Sequence, residues 1–254
     1  MDVVTVDLAI FLLATFAAAL VAGLAGFAFG LVAAAAWLHV LTPLQTASLI
    51  IAFGLIVQGV AVWKLRHALQ WRRLWPFLLG GMLGVPLGVA LLSVANPDYM
   101  RAGIGALLIL YSIYAFARPT LQPVVAGGAP ADAGVGLLNG ILGGATGLAG
   151  ILVTIWCGLR GWPKNVQRTV FQPTGVAIFA MSAVVLGLNG AVDADTVRLF
   201  LVGLPALLGG TWLGLRLYGR VDEAGFRKLV LGLLLVSGVA LILSLRDIAP
   251  WSAR

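Results

Sequence analysis

Long apolar runs constrain this chain more than any other feature. A helix needs about 20 apolar residues to cross a bilayer, and eight runs approach or exceed that length. The runs cover residues 8–40, 44–63, 74–94, 102–117, 133–159, 166–188, 197–215 and 229–245. Only 10% of the residues are charged, whereas soluble domains carry about 25%. The sequence therefore predicts an all-α polytopic membrane protein without a soluble domain.

Charge and cysteine content exclude several other classes of protein. The net charge of +7 fits cytoplasmic loops of a membrane protein, where Lys and Arg collect, better than a nucleic-acid-binding surface. The single cysteine, Cys157, excludes an intramolecular disulfide and a cysteine-cluster metal site. The sequence contains no metalloprotease, serine hydrolase or ATP-binding motif. We therefore expect no enzyme, no metal, no cofactor and no nucleic-acid partner.

An irregular segment at residues 118–132 lies at the middle of the chain. It contains three prolines and a pair of glycines, which is typical of a linker. It divides the sequence into a first membrane repeat, 1–117, and a second membrane repeat, 133–254. We predict that each repeat holds one interrupted run followed by three transmembrane helices.

Glycines and prolines recur at similar positions in the two halves. When Gly30 is aligned with Gly150, Pro43 meets Pro163, thirteen residues further on in each half. A pair of glycines four residues apart follows in the third run of each half. The order of these features favours an internal duplication over a chance alignment.

The first run of each half is interrupted by glycines, at residues 23–30 and 143–150. Each run is either one tilted span or a hairpin that enters and leaves the membrane on the same side. If the interrupted run of the second half is an ordinary span, the Lys and Arg residues divide equally between the two sides of the membrane. If it is a hairpin, twelve lie on one side and four on the other, which the positive-inside rule favours.

Two halves of a hairpin plus three spans insert in opposite orientations. This inverted-repeat plan is common in secondary transporters, whose binding sites lie where interrupted helices meet near the membrane midplane. We therefore predict two inverted repeats with eight to ten membrane segments.

The glycine-rich breaks are the predicted binding site. A helix start carries unpaired N–H groups and a positive partial charge, and anions are its preferred ligands. The alternative role, close helix packing through small residues, is favoured for Gly84, Gly88, Gly210 and Gly214. The predicted contacts at the breaks are Gly26, Phe27, Ala28, Phe29, Gly30, Gly144, Ala145, Thr146, Gly147 and Leu148.

The polar side chains within the spans are neutral, and all nine acidic residues lie in or beside loops. This pattern argues against a carboxylate relay or a cation site and leaves an anion path. Gln172 and Thr174 flank a proline that frees a backbone carbonyl, so they join the predicted contacts with Gln58. Arg168 either attracts the anion or anchors the helix at lipid phosphates.

These motifs resemble those of a known family. The segments Pro43-Leu-Gln-Thr-Ala-Ser48 and Pro163-Lys-Asn-Val-Gln-Arg168, each after an interrupted helix, and the G-x-x-x-G pattern at Gly84 resemble the sulfite exporter TauE/SafE family of the toluene-sulfonate uptake permease group. The resemblance implies a multi-pass exporter of sulfite or an organosulfonate in the bacterial inner membrane.

The sequence leaves two alternatives open. One is a transporter of another small anion, such as a carboxylate or a sulfur metabolite, and the other is a membrane assembly factor that transports nothing. The expected partners are a small anion and the lipid bilayer. Proton coupling stays open because sulfite and hydrogensulfite differ by one proton near neutral pH, and the sequence does not define an oligomeric state.

Overall fold

A computed structural model describes residues 3–25, 28–117, 124, 126–217 and 223–243, and within these ranges the regular structure is entirely helical. The helices are α1 (Val3–Ala25), α2 (Phe29–Trp37), α3 (Pro43–Leu65), α4 (Trp71–Val94), α5 (Pro97–Ala117), α6 (Gly128–Thr146), α7 (Ile151–Leu159), α8 (Lys164–Leu188), α9 (Ala194–Leu217) and α10 (Glu223–Leu243). A 3-10 turn, Arg66–Ala68, connects α3 to α4. The predicted all-α class is confirmed.

Six helices in the described part of the chain are long and apolar enough to cross a membrane, namely α1, α3, α4, α5, α8 and α9. The α10 helix holds a shorter apolar segment, Val230–Leu243. In contrast, α2 and α7 contain nine residues each. Nine residues make about 13 Å of helix, less than half of the ~30 Å hydrocarbon core. The chain is therefore a multi-pass membrane protein in which two helices are too short to cross.

The short helix α2 folds back along α1. The ring of Trp37, at the end of α2, lies 5.2 Å from the ring of Phe11 in α1. If α2 continued in the direction of α1, the two rings would be about 39 Å apart. The chain therefore reverses between the two helices, as the hairpin interpretation predicts.

The short helix α7 folds back along α6 in the same way. The N–H of Gly150, before α7, donates to Asn139 Oδ1 in α6 at 3.0 Å. Further along α7, Trp156 Nε1 donates at 2.7 Å to Asp132 Oδ1, near the start of α6. The contacts follow the two helices in opposite directions, so this run also reverses at its break.

Both short helices begin after a residue in the left-handed region. Ala28, before α2, has φ 75°, and Gly150, before α7, has φ 114°. Gly30 lies within α2, so the structural counterpart of Gly150 is Ala28 rather than the glycine that the sequence alignment selects. A left-handed alanine is uncommon, whereas glycine adopts this conformation freely.

The chain forms two compact units. The first contains Met1–Thr46, Ala95–Pro119 and Arg198–Arg254, and the second contains Ala47–Val94 and Thr120–Val197. Each unit takes helices from both predicted repeats. Since α6 begins at Gly128, it starts within the segment predicted as a linker. The inverted orientation of the repeats stays a prediction.

In the second unit, α4 and α6 pack through glycines on both helices. They are spaced four residues apart and comprise Gly80, Gly84 and Gly88 in α4 and Gly136, Gly140 and Gly144 in α6. A Cβ added at Gly140 would lie 2.6 Å from the carbonyl oxygen of Gly81, and one at Gly144 would lie 2.7 Å from that of Val85. Small residues allow this backbone approach. The packing role predicted for Gly84 and Gly88 is confirmed, and we call this contact the α4–α6 glycine seam.

Two helix pairs in the first unit also pack closely through glycines. A Cβ at Gly23 of α1 would lie 2.9 Å from the Cα of Gly214 in α9. A Cβ at Gly238 of α10 would lie 2.7 Å from the carbonyl oxygen of Gly105 in α5. The packing role predicted for Gly214 is therefore also confirmed. The long arm of each hairpin, α1 or α6, packs on a full-length helix through glycine.

We expect the stability of the protein to depend on the glycine seam. Replacing Gly140 with alanine should lower the free energy of unfolding by about 1–3 kcal/mol, because the added Cβ meets backbone atoms that cannot move independently. Gly134→Ala is the matched control, since Gly134 lies in the same helix and a Cβ there meets nothing within 4 Å. Thermal unfolding in detergent measures both variants. Equal melting temperatures would contradict the seam.

The reversal at the α6–α7 break makes a topology prediction. Single cysteines in a Cys157→Ser background would replace His67, Asn165 and Asn189, the last two lying at the start and just beyond the end of α8. His67→Cys and Asn165→Cys should react with an impermeant thiol reagent from one side of the membrane, and Asn189→Cys from the other. Labelling of the first two from opposite sides would contradict the hairpin.

Candidate binding site at a broken helix

The turn between α6 and α7 is shaped by Thr146 and Gly147. Thr146 Oγ1 donates to the carbonyl of Leu142 at 2.7 Å and accepts from the N–H of Leu148 at 3.1 Å. Gly147 ends α6 with φ 73°, and a Cβ there would lie 2.9 Å from the Cβ of Ile50 in α3. Of the predicted contacts in this turn, Thr146 thus stabilises the turn itself, and Gly147 fits it closely against α3.

The start of α7 leaves backbone donors available. No side chain caps this helix, so the N–H groups of its first turn have no side-chain acceptor. Gly150 is buried, yet a Cβ added to it would meet nothing within 4 Å. The helix therefore begins inside the second unit at a residue with open space beside it, and the positive end of the helix dipole lies at this start.

Neutral polar groups of α3 and α8 lie close to this break. A Cβ at Gly175 of α8 would lie 2.8 Å from Gln58 Oε1 and 3.5 Å from the carbonyl oxygen of Ala149. Because Gly175 has no side chain, the Gln58 amide can lie beside the turn. Gln172 and Thr174, around the proline within α8, are buried. The Thr174 hydroxyl donates to the carbonyl of Val170 at 2.8 Å.

The remaining predicted contacts of this hairpin and of α8 differ in their positions. Gly144 belongs to the glycine seam, and the backbone nitrogen of Ala145 would lie 2.9 Å from a Cβ added at Gly88. Leu148 is buried within the turn. Arg168 is exposed in the second turn of α8, before Gln172 and outside the break.

The predicted contacts in the first hairpin are only partly described. Ala28 precedes α2, Phe29 and Gly30 open that helix, and Phe29 is buried in the first unit. No side chain caps α2. Gly26 and Phe27 lie outside the described residues.

Asn139 is a site residue that the sequence-based prediction missed. Its side chain is fully buried, and its Oδ1 fixes the backbone of Gly150. A polar residue within an apolar run, shortly before a glycine-rich break, is a usable sequence signal, because a buried amide needs hydrogen-bond partners.

An ion pair closes the base of the hairpin. Arg160 Nη2 lies 2.9 Å from Asp132 Oδ1, and the same guanidinium donates to the carbonyls of Gly128 and Val124. Asp132, predicted to end the linker, lies in the second turn of α6 and is 7% exposed. The fixed charges of the hairpin are therefore paired at its base and kept away from its break.

The end of the other hairpin is held by Arg101 of α5. Its guanidinium donates to the carbonyl of Leu38 at 3.2 Å, and His39 Nε2 lies 3.3 Å from Ser237 Oγ. Burial, and then the nearby Arg101 charge, lower the pKa of His39. His39 is therefore neutral over a wider pH range than a free histidine.

The described helices define a multi-pass membrane protein with two interrupted segments, an arrangement that is common in secondary transporters. The model of the sulfite exporter TauE/SafE family matches residues 11–241, and the chain belongs to that family. The resemblance seen in the sequence is thus confirmed. The family is one of membrane transporters for sulfite or related sulfur anions. No curated protein and no solved structure matches the chain.

The pair at the hairpin base makes a testable prediction. Asp132→Asn and Arg160→Gln should each destabilise the protein, because each leaves a partly buried charge without its partner. The double variant should be more stable than the sum of the single losses predicts, with a coupling of about 0.5–3 kcal/mol. Denaturant unfolding in detergent measures all four proteins. Additive losses would show that the two side chains act independently.

Proposed function

We propose that this protein is a secondary transporter, working as an exporter, of a small sulfur-containing anion such as sulfite or an organosulfonate. The observation that carries the proposal is the uncapped start of α7, which begins at a buried glycine beside open space. Backbone N–H groups at a helix start bind oxyanions, and the family supplies the class of cargo. The bacterial inner membrane is the proposed location.

The depth of the break supports a midplane site. Arg160 follows α7 directly, and charged residues prefer the membrane interface. From there, the nine residues of α7 reach about 13 Å into the bilayer, close to half of its ~30 Å core. An anion at the start of α7 would then lie near the middle of the membrane, as alternating access requires.

The remaining groups take supporting roles in this proposal. Gln58, Gln172 and Thr174 supply neutral polar contacts around the break. Arg168, exposed on α8, attracts the anion toward the protein by its charge.

Flux measurements in proteoliposomes test the proposal. Purified protein should give saturable flux of sulfite or an organosulfonate, competed by its relatives. Saturable flux of acetate instead would favour a carboxylate transporter. No flux of any anion, from protein with a normal melting temperature, would favour an assembly factor.

A matched pair of variants links flux to the break. Gly150→Ala should reduce flux at least about fivefold, because alanine at φ 114° is strained and reorients the start of α7. Gly158→Ala is the control, since it lies in the same helix and its Cβ meets nothing within 4 Å. Equal flux in both variants would place the binding site away from the break.

A further inference from the structure

Asn139 presents a buried donor beside the start of α7. Its Oδ1 accepts the Gly150 N–H at 3.0 Å, which fixes the orientation of the amide, because only the oxygen can accept. Its Nδ2 has no hydrogen-bond partner among the described residues, and the side chain is 0% exposed. An unpaired buried donor is costly, so its placement beside an uncapped helix start points to a ligand with acceptor oxygens.

The surroundings of this donor are electrically neutral. In the elements packed there (α3, α4 and α6 to α8), the charged or titratable side chains that the structure describes lie away from the break or are paired. They are Arg72, Arg73, Asp132, Cys157, Arg160 and Arg168. Asp132 pairs with Arg160, and Arg73 lies over the ring of Trp162. Arg72 and Arg168 are exposed, and Cys157 is buried further along α7.

We propose that Asn139 Nδ2 and the first N–H groups of α7 form a subsite that selects singly charged oxyanions over doubly charged ones. The desolvation cost of an ion rises with the square of its charge, and neutral donors without a fixed cation offset it incompletely. A monoanion satisfies the free amide and the helix dipole at a small desolvation cost. A dianion meets a cost about four times larger with the same donors.

This inference rests on the proposed function and assigns the charge of its cargo. For sulfite, the bound species is hydrogensulfite, the protonated monoanion. The proton travels on the cargo, so no carboxylate or histidine at the break has to carry it. A sulfonate has a fixed single charge and binds without protonation, whereas sulfate is excluded as a dianion.

The test is a pH series in proteoliposomes with equal pH on both sides. At subsaturating total sulfite, flux should rise as pH falls through the second ionisation of sulfurous acid, and drop about tenfold per pH unit well above it. Flux of an alkanesulfonate should stay constant over the same range. Sulfite flux that rises with pH, or sulfate flux equal to that of the sulfonate, would overturn the inference.

A variant pair tests the residue. Asn139→Asp keeps an oxygen acceptor for the Gly150 N–H, removes the Nδ2 donor and adds a negative charge. It should raise the KM for the sulfonate at least about tenfold, as expected for losing a hydrogen bond to a charged ligand. Asn189→Asp, the same change in an exposed loop, should leave KM unchanged. An unchanged KM in Asn139→Asp would remove Asn139 from the subsite.

Binding without transport separates the two proposals. A bound anion raises the melting temperature of the purified protein by mass action. Stabilisation by the sulfonate but not by sulfate, together with absent flux, would support the subsite and overturn the transport proposal. If Asn139→Asp does not fold, Asn139→Leu should abolish this stabilisation. No stabilisation of the natural protein by any anion would overturn the subsite.

Discussion

Buried backbone peptide groups at the α6–α7 break need hydrogen-bond partners, and this need governs the local structure. Two side chains of α6 meet part of it. Thr146 accepts from the N–H of Leu148, and Asn139 accepts from that of Gly150. The first turn of α7 receives no side-chain cap. These two side chains thus accept hydrogen bonds from N–H groups of the turn. The N–H groups at the start of α7, the part best suited to a ligand, stay available.

The α4–α6 glycine seam gives this break a rigid support. Gly136, Gly140 and Gly144 fix α6 against the backbone of α4, and Asn139 lies within the same stretch of helix. A binding group on a tightly packed helix keeps its position better than one on a loop. The helix that ends at the break therefore also sets the position of the amide beside it.

The sequence could predict the class and the reversals but only part of the site. Apolar run length reveals spanning helices, and the asymmetry of Lys and Arg distinguishes a hairpin from a span, because both follow from bilayer physics alone. Helix periodicity does not reveal which neighbour a face meets. Gly144, for example, was predicted as a ligand contact, and the structure shows in addition that it packs closely against the backbone of α4. The partner of Asn139 and the pairing of Asp132 with Arg160 depend on how far α7 folds back.

The positions of the charges then explain how such a site could release what it binds. A buried cation at the break would hold an anion strongly and would leave an uncompensated charge once the anion departed. In the described part of the second unit, the Asp132–Arg160 pair lies at the base of the hairpin, while the break carries amides, hydroxyls and backbone N–H groups. In the proposed function, these groups would attract an oxyanion through their dipoles and would tolerate its loss. A transporter needs both properties, because its empty and loaded states must each be accessible during the transport cycle.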